Sequence, residues 1–294
     1  AEDFKIDKTD DISFVKWESY IPAKDETLIG GLTFLNNWII RSEVTNALGK
    51  IFVKNLKNEK EEELIFSDEK VFDGNVSLVQ KDKNTDLVHI SYSTPKTQSR
   101  VYLYNLKSKE KKLVKEQIIP SGHNPDDYIV ERFNCDSHDG RKVPITITRH
   151  KKTNIDGNAN LLLYGYGSYG NSMSPSFSST RLSLVNRDII WVTAHIRGGL
   201  ERGMKWWKEG KLLNKKNTFE DYIAAAKFLI EKKYTSKGKI IGMGGSAGGL
   251  LMGAVVNEVP EIFLGMVMAV PFVDSLTTNL DHSLPLTVGE FDEF

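Results

Sequence analysis

Lys239-Ile-Ile-Gly-Met-Gly-Gly-Ser-Ala-Gly-Gly-Leu-Leu-Met-Gly-Ala-Val-Val256 is the stretch that decides the fold. A strand-like run leads into Gly244-Gly-Ser-Ala-Gly248, and an apolar, helix-like run leaves it. That strand–turn–helix setting is what a nucleophile elbow requires. The glycines tolerate a strained turn and leave room for a substrate, while the serine hydroxyl is held exposed at the end of a strand. Without the setting, the five residues would read as a glycine-rich turn that happens to hold a serine. With it, Ser246 is the candidate nucleophile.

The bulk numbers narrow the classes around that motif. At 294 residues, two domains are the natural expectation. Hydrophobic residues make up 40% of the chain and charged residues 27%, an ordinary balance for a soluble protein. No apolar run approaches a membrane span, so neither an anchor nor a channel is expected. The opening residues, Ala1-Glu-Asp-Phe-Lys-Ile-Asp7, are acidic and polar, unlike a signal peptide. Cys135 is the single cysteine and reads as a small buried hydrophobe, which points to a reducing, cytoplasmic setting. Thirty-nine basic residues balance 39 acidic ones, so nothing argues for nucleic acid or an anionic membrane as partner. No His/Cys/Asp spacing suggests zinc, and no glycine pattern closes in Gly-Lys-Ser/Thr; no cofactor is expected.

The first part of the chain repeats itself. Gly49-Lys-Ile-Phe-Val-Lys-Asn-Leu-Lys57 lines up with Ser99-Arg-Val-Tyr-Leu-Tyr-Asn-Leu-Lys107, an offset of 50 residues. Each copy follows a β-rich segment (Trp38–Val44, Val88–Ser93). Each precedes a charged turn and a further short strand, read as Leu64-Ile-Phe66 and Leu113-Val-Lys115. Several strands per unit at this period is the signature of propeller blades. Two blades cannot close a ring, so residues 1–125 are expected to be only part of a propeller.

Ile118-Ile-Pro-Ser-Gly-His-Asn-Pro125 marks the boundary. Tyr128–Cys135 and Val143–His150 then alternate like a hairpin about Ser137-His-Asp-Gly140. Strands at 160–164, 188–194, 239–243 and 264–270 alternate with helices at 177–186, at 218–232 and after Ser246. This implies, for residues 126–294, a mainly parallel sheet with helices on both faces. Thr218 and Asp221 have capping-box spacing at the start of one helix. Phe219, Tyr222, Ile223, Ala226, Leu229 and Ile230 give that helix one apolar face.

Six motifs occur in a fixed order: Leu163-Tyr-Gly-Tyr-Gly-Ser-Tyr-Gly170, Ala194-His-Ile-Arg-Gly-Gly199, Lys215-Lys-Asn-Thr-Phe219, Gly244–Gly249, Val270-Pro-Phe-Val-Asp274 and Pro285-Leu-Thr-Val-Gly-Glu-Phe291. Together they resemble the prolyl oligopeptidase family of serine peptidases, and its oligopeptidase B branch in particular. The resemblance implies an α/β-hydrolase domain joined to a β-propeller that admits only short peptides, with cleavage after Arg or Lys. Ser246 would be the nucleophile. The amide of Ala247 and the hydroxyl of Tyr166 would form the oxyanion hole, although outside the family Tyr166 reads as a core aromatic. Glu290 and Asp292 would bind the P1 guanidinium, Asp292 replacing the usual glutamate; outside the family they read as an exposed acidic chain end. Ser172-Met-Ser-Pro-Ser176 supplies serines where related enzymes have acidic residues for a basic P2 side chain, so weaker selection of dibasic sites is expected. Leu200 stands where a glycine is usual.

A serine nucleophile needs a histidine base and an orienting carboxylate, which in α/β-hydrolases follow it in the order Ser, Asp, His. Asp274 and His282 do follow, but no strand and helix intervene to return the histidine over the serine; Asp274 reads instead as a cap. The remaining histidines read as structural or exposed. The resemblance places the triad Asp and His beyond Phe294, so the chain is expected to be truncated at both ends and inactive alone. Its expected partners are a short peptide with a basic P1 residue and a C-terminal segment or second chain supplying the base. Two alternatives stay open: an esterase or thioesterase relative, and a non-catalytic binding fragment.

Overall fold

The computed structural model describes residues 18–285 and 290–294. The acidic start and residues 286–289 of the last motif lie outside the described residues. Two four-stranded antiparallel meanders come first. One runs β1 (Thr27–Leu35), β2 (Trp38–Thr45), β3 (Leu48–Asn55), β4 (Glu61–Glu63); the other β5 (Asp73–Leu78), β6 (Leu87–Ser93), β7 (Arg100–Asn105), β8 (Lys111–Glu116). Alternate residues of β2, β3 and β6 point inward, so Trp38, Ile40, Ile51, Val53, Val88 and Ile90 close one core shared by the two sheets. The sequence repeat recurs in backbone detail. Asn55 and Asn105 each accept a side-chain hydrogen bond from the amide two residues on, at 2.9 Å. Glu59 and Lys109, also 50 residues apart, both take the left-handed conformation in the following turn. These meanders are propeller blades.

One strand expectation changes here, and two strands were not anticipated. The last strand of the first blade is Glu61–Glu63, not Leu64–Phe66: Leu64 and Phe66 turn into the core instead. The first strands, β1 and β5, carried no readable pattern. β1 is half-exposed, contains Gly30-Gly31, and is broken by a register shift between Ile29 and Leu32.

Beyond the linker the chain builds a six-stranded sheet. Its strands are β9 (Tyr128–Asp136), β10 (Lys142–His150), β11 (Leu161–Tyr164), β12 (Ile190–Ala194), β13 (Ile240–Gly245) and β14 (Phe263–Ala269), in the spatial order β14-β13-β11-β12-β10-β9. The β11, β12, β13 and β14 neighbours run parallel; β9 and β10 are antiparallel additions. Two helices, α3 (Lys216–Glu231) and α4 (Ala247–Glu258), pack on the face lined by Leu161, Leu163, Ile190, Val192 and Ile145. Helix α1 (Ser179–Val185) covers the opposite face near Tyr128 and Trp191. Each of those fully buried aliphatic side chains contributes about 1.5–3 kcal/mol of burial. Two short helices, α2 (Gly203–Lys208) and α5 (Ser275–Leu280), complete the described α-helices.

The capping box expected at Thr218 is not formed. α3 begins at Lys216, following a helical turn at Leu212–Asn214, so no extended residue precedes it to act as a cap. Thr218 lies inside the helix and donates to the Arg197 carbonyl at 2.9 Å, while Asp221 is fully buried against the Arg197 guanidinium. Tertiary partners decide both residues.

Blades and sheet meet through polar contacts. The Ala47 amide donates to the Glu201 carbonyl at 2.8 Å, the Arg132 guanidinium to the Asn46 carbonyl, and the Phe177 amide to the Ser93 hydroxyl at 3.3 Å. Glu26 pairs with Arg202. Among the described residues no helix is long and apolar enough to cross a membrane.

Candidate active site

Ser246 is the single residue between β13 and α4, with φ 55° and ψ −119°. A non-glycine residue there is strained, a cost of order 1–3 kcal/mol that surrounding contacts must hold in place. They do: the Ser246 amide donates to Ala269 O at 2.9 Å, and Ser246 O accepts from the amides of Gly249 (2.8 Å) and Phe272 (3.0 Å). The flanking glycines are required by close approach. A Cβ on Gly244 would sit 2.2 Å from the Gly248 carbonyl oxygen, and one on Gly248 would sit 3.0 Å from that of Gly165. The serine itself stays exposed.

Tyr166 follows β11 on the neighbouring loop. Its hydroxyl lies close enough to the side chains of Ser246 and Asn171 for both to act on its ionisation, but burial is the larger influence and pushes its pKa up, so the phenol stays protonated. Ala247 is the first residue of α4, where an amide has no intrahelical acceptor to satisfy it. The chain thus offers two donors near Ser246, the amide of the next residue and the Tyr166 hydroxyl.

The Tyr169 hydroxyl donates to the Glu290 carboxylate, and Glu290 acts electrostatically on both Tyr166 and Tyr169. Asp292 is placed differently. Its carboxylate is exposed and makes no hydrogen bond or ion pair with another described residue; only its carbonyl is engaged, by Lys211 Nζ at 2.9 Å. The structure thus brings Ser246, Ala247, Tyr166 and Glu290 into one neighbourhood, whereas the Asp292 carboxylate stays exposed. Sequence reasoning missed Tyr169, Asn171, Lys215 and Glu293, which hold this group together. Two of them stood inside quoted motifs, Tyr169 and Lys215, but nothing in those motifs names their partners.

Asp274 accepts the Thr277 amide at 3.1 Å and caps α5. The His282 ring lies 6.4 Å from that of Phe291. His195 is fully buried, with Nε2 2.8 Å from the Thr146 hydroxyl; burial and the nearby Arg132 charge hold its pKa well below the usual imidazole value. Among the described residues no imidazole hydrogen-bonds to Ser246. Leu200, where a glycine was expected, packs over Gly170: a Cβ there would lie 3.0 Å from its side chain.

A strained serine at the end of a parallel strand, with donors beside it and propeller blades preceding the sheet, defines an α/β-hydrolase of the propeller-bearing kind. Comparison with known proteins agrees. Residues 175–294 match the model of the prolyl oligopeptidase family, and residues 4–117 match the model of its N-terminal β-propeller domain. The chain belongs to the prolyl oligopeptidase family. It is 38% identical to dipeptidyl aminopeptidase BI of Pseudoxanthomonas mexicana across its whole length, which is 40% of that protein. It is 43% identical to protease 2 of Moraxella lacunata over 74% of this chain and 31% of the relative. Among solved structures it resembles oligopeptidase B from Trypanosoma brucei with covalently bound antipain, in the closed form. The TM-score is 0.86 at 36% identity, covering 93% of this chain and 40% of that one. The chain therefore spans well under half the length of these relatives.

Proposed function

We propose that the protein carrying this chain is a serine peptidase that cleaves short peptides after Arg or Lys. The observation that carries the reading is the exposed, strained Ser246 beside the Tyr166 hydroxyl, with the Glu290 carboxylate presented across the same loop. The Ser246 hydroxyl oxygen attacks the scissile carbonyl as its proton passes to a histidine base. The carbonyl oxygen, now negative, is held by Tyr166 and the Ala247 amide. Collapse expels the amine with the transferred proton and leaves an acyl-enzyme, which water then hydrolyses. Glu290 takes the P1 guanidinium or ammonium, with Asp292 as the second carboxylate. The serines of Ser172–Ser176 give little preference for a basic P2.

The base and its orienting carboxylate come from a segment following Phe294 or from a second chain. Without them turnover would fall by about 10⁶, so the chain alone is nearly inactive. We place the domain boundary at 125/126, between the blades and the sheet. We place the protein in the cytoplasm because Cys135, the single cysteine of this sequence, offers no internal disulfide framework.

Joining the chain to a C-terminal segment that supplies the histidine and carboxylate should give hydrolysis of Arg- and Lys-amide substrates that Ser246→Ala removes. Hydrolysis of matched thioesters without amides would instead favour a thioesterase relative. A stable chain that captures a specific partner, with no Ser246-dependent hydrolysis when completed, would favour the binding-fragment alternative.

A further inference from the structure

Glu293 is buried and Lys215 largely so, with side-chain exposures of 3% and 12%, and they lie 3.7 Å apart. Charges so placed cost energy unless they are multiply bonded, and a buried ion pair is weak evidence for stability, since an apolar pair of similar volume often serves as well. Their bonding is directed at the two segments that build the site. Lys215 Nζ donates to the Gly167 carbonyl at 2.7 Å and the Ser168 hydroxyl at 2.6 Å, gripping the loop just after Tyr166. Glu293 Oε1 accepts the Tyr169 amide at 2.8 Å from the same loop, and Oε2 accepts Trp207 Nε1 at 3.0 Å.

Glu293 also sets the turn that bears Glu290. The amides of Glu293 and Phe294 return to the Glu290 carbonyl at 3.0 and 2.9 Å, and the Glu293 carbonyl accepts from Leu212 at 2.8 Å. The Phe294 ring closes the pair from above, 5.8 Å from the Tyr169 ring and 5.0 Å from Lys215 Nζ. One ion pair thus joins the loop holding the oxyanion donor to the turn holding the carboxylate.

We propose that the Lys215–Glu293 pair is a positioning device for substrate selection. It fixes the Glu290 carboxylate relative to Tyr166 and Ser246, so that a cationic P1 side chain and its scissile carbonyl are gripped at one separation. The inference rests on the basic-P1 reading above. Neither residue touches the substrate; both act through Glu290 and Tyr166.

A binding experiment tests this without a general base. The folded 294-residue chain is titrated with p-aminobenzamidine, a fluorescent amidinium, and with its neutral isostere p-aminobenzamide. The wild type should bind the cation saturably and in preference to the isostere, and Glu290→Gln should abolish that preference. Glu293→Gln and Lys215→Met should each weaken cation binding about tenfold with native circular dichroism and unchanged isostere binding. The double variant should be no worse than either alone, because the two act as one unit. No preference for the cation in the wild type would sink the basic-P1 reading and this inference with it. A preference lost in Glu290→Gln but kept in folded Glu293→Gln would overturn the positioning role alone. If Lys215→Met does not fold, the isosteric Glu293→Gln decides.

Discussion

Arg197 is bonded to Asp221 three times: its amide, Nε and Nη2 donate to the one carboxylate at 3.0, 2.9 and 2.6 Å. Both side chains are essentially removed from solvent, and the half-exposed Asp139 bonds the remaining edge of the guanidinium at 2.6 and 3.2 Å. The arrangement fastens α3 and the β9–β10 turn beneath the loop that carries Tyr166. Asp221→Ala would leave a buried guanidinium short of its main partner. The expected loss is about 3–5 kcal/mol, read as a lower denaturant midpoint at unchanged slope. A change below about 1 kcal/mol would mean that Asp139 alone satisfies Arg197.

Tyr166→Phe removes one donor and leaves the ring. In the completed protein kcat should fall by about 10²–10³ with KM little altered, as for loss of one oxyanion-hole donor. Because burial raises the Tyr166 pKa from its usual value of 10.0, the phenol stays protonated through neutral and mildly alkaline pH. The rate profile should therefore show no loss assignable to Tyr166 below pH 10. An unchanged kcat would remove Tyr166 from the mechanism.

Glu201 connects stability to pH. It is fully buried, and desolvation raises its pKa from 4.5 to about 7. Between those values the folded state holds a proton that the unfolded state has released, so this group's contribution declines as pH rises through the window. The penalty is complete above pH 7 and on the order of 3 kcal/mol. His195, buried in its neutral form, acts in the opposite sense over the lower part of the same range. The diagnostic quantity is thus the difference between wild type and Glu201→Gln, measured by denaturation at several pH values. The variant should gain relative to the wild type as pH rises, and parallel curves would show that Glu201 ionises normally.

Lys109 is exposed and left-handed at φ 63°, and its ion pair with Glu62 is a surface pair. Lys109→Gly relieves a conformation costing about 1 kcal/mol or more while giving up a contact of small value. A gain in blade stability of up to about 1 kcal/mol is expected, and a clear loss would show that the Glu62 pair outweighs the strain.

What the sequence revealed is what local pattern can encode. The elbow, the hairpin at Ser137–Gly140 and the strand–helix alternation are set by residues within a few positions of one another, so period and turn chemistry expose them. The 50-residue repeat showed the third strands β3 and β7, whose side chains alternate, but not β1, where Gly30-Gly31 and a bulge erase the alternation. At Thr218 the local spacing misled, because Arg197, distant in sequence, claims Asp221. The acidic chain end looked uniform on paper, yet Glu290, Asp292 and Glu293 have three separate environments. Only the folded loop assigns them.

Among the described residues, the core of the blades and the core of the six-stranded sheet share no buried side chain, and the bonds between the two parts include backbone amides, the Arg132 guanidinium, a hydroxyl and ion pairs. Cooperativity is carried by interlocked apolar packing, so each half is expected to melt as its own unit, with weak thermodynamic coupling across the seam. Calorimetry on the chain would then resolve two endotherms. A single melting temperature from one optical probe would describe whichever half holds that chromophore.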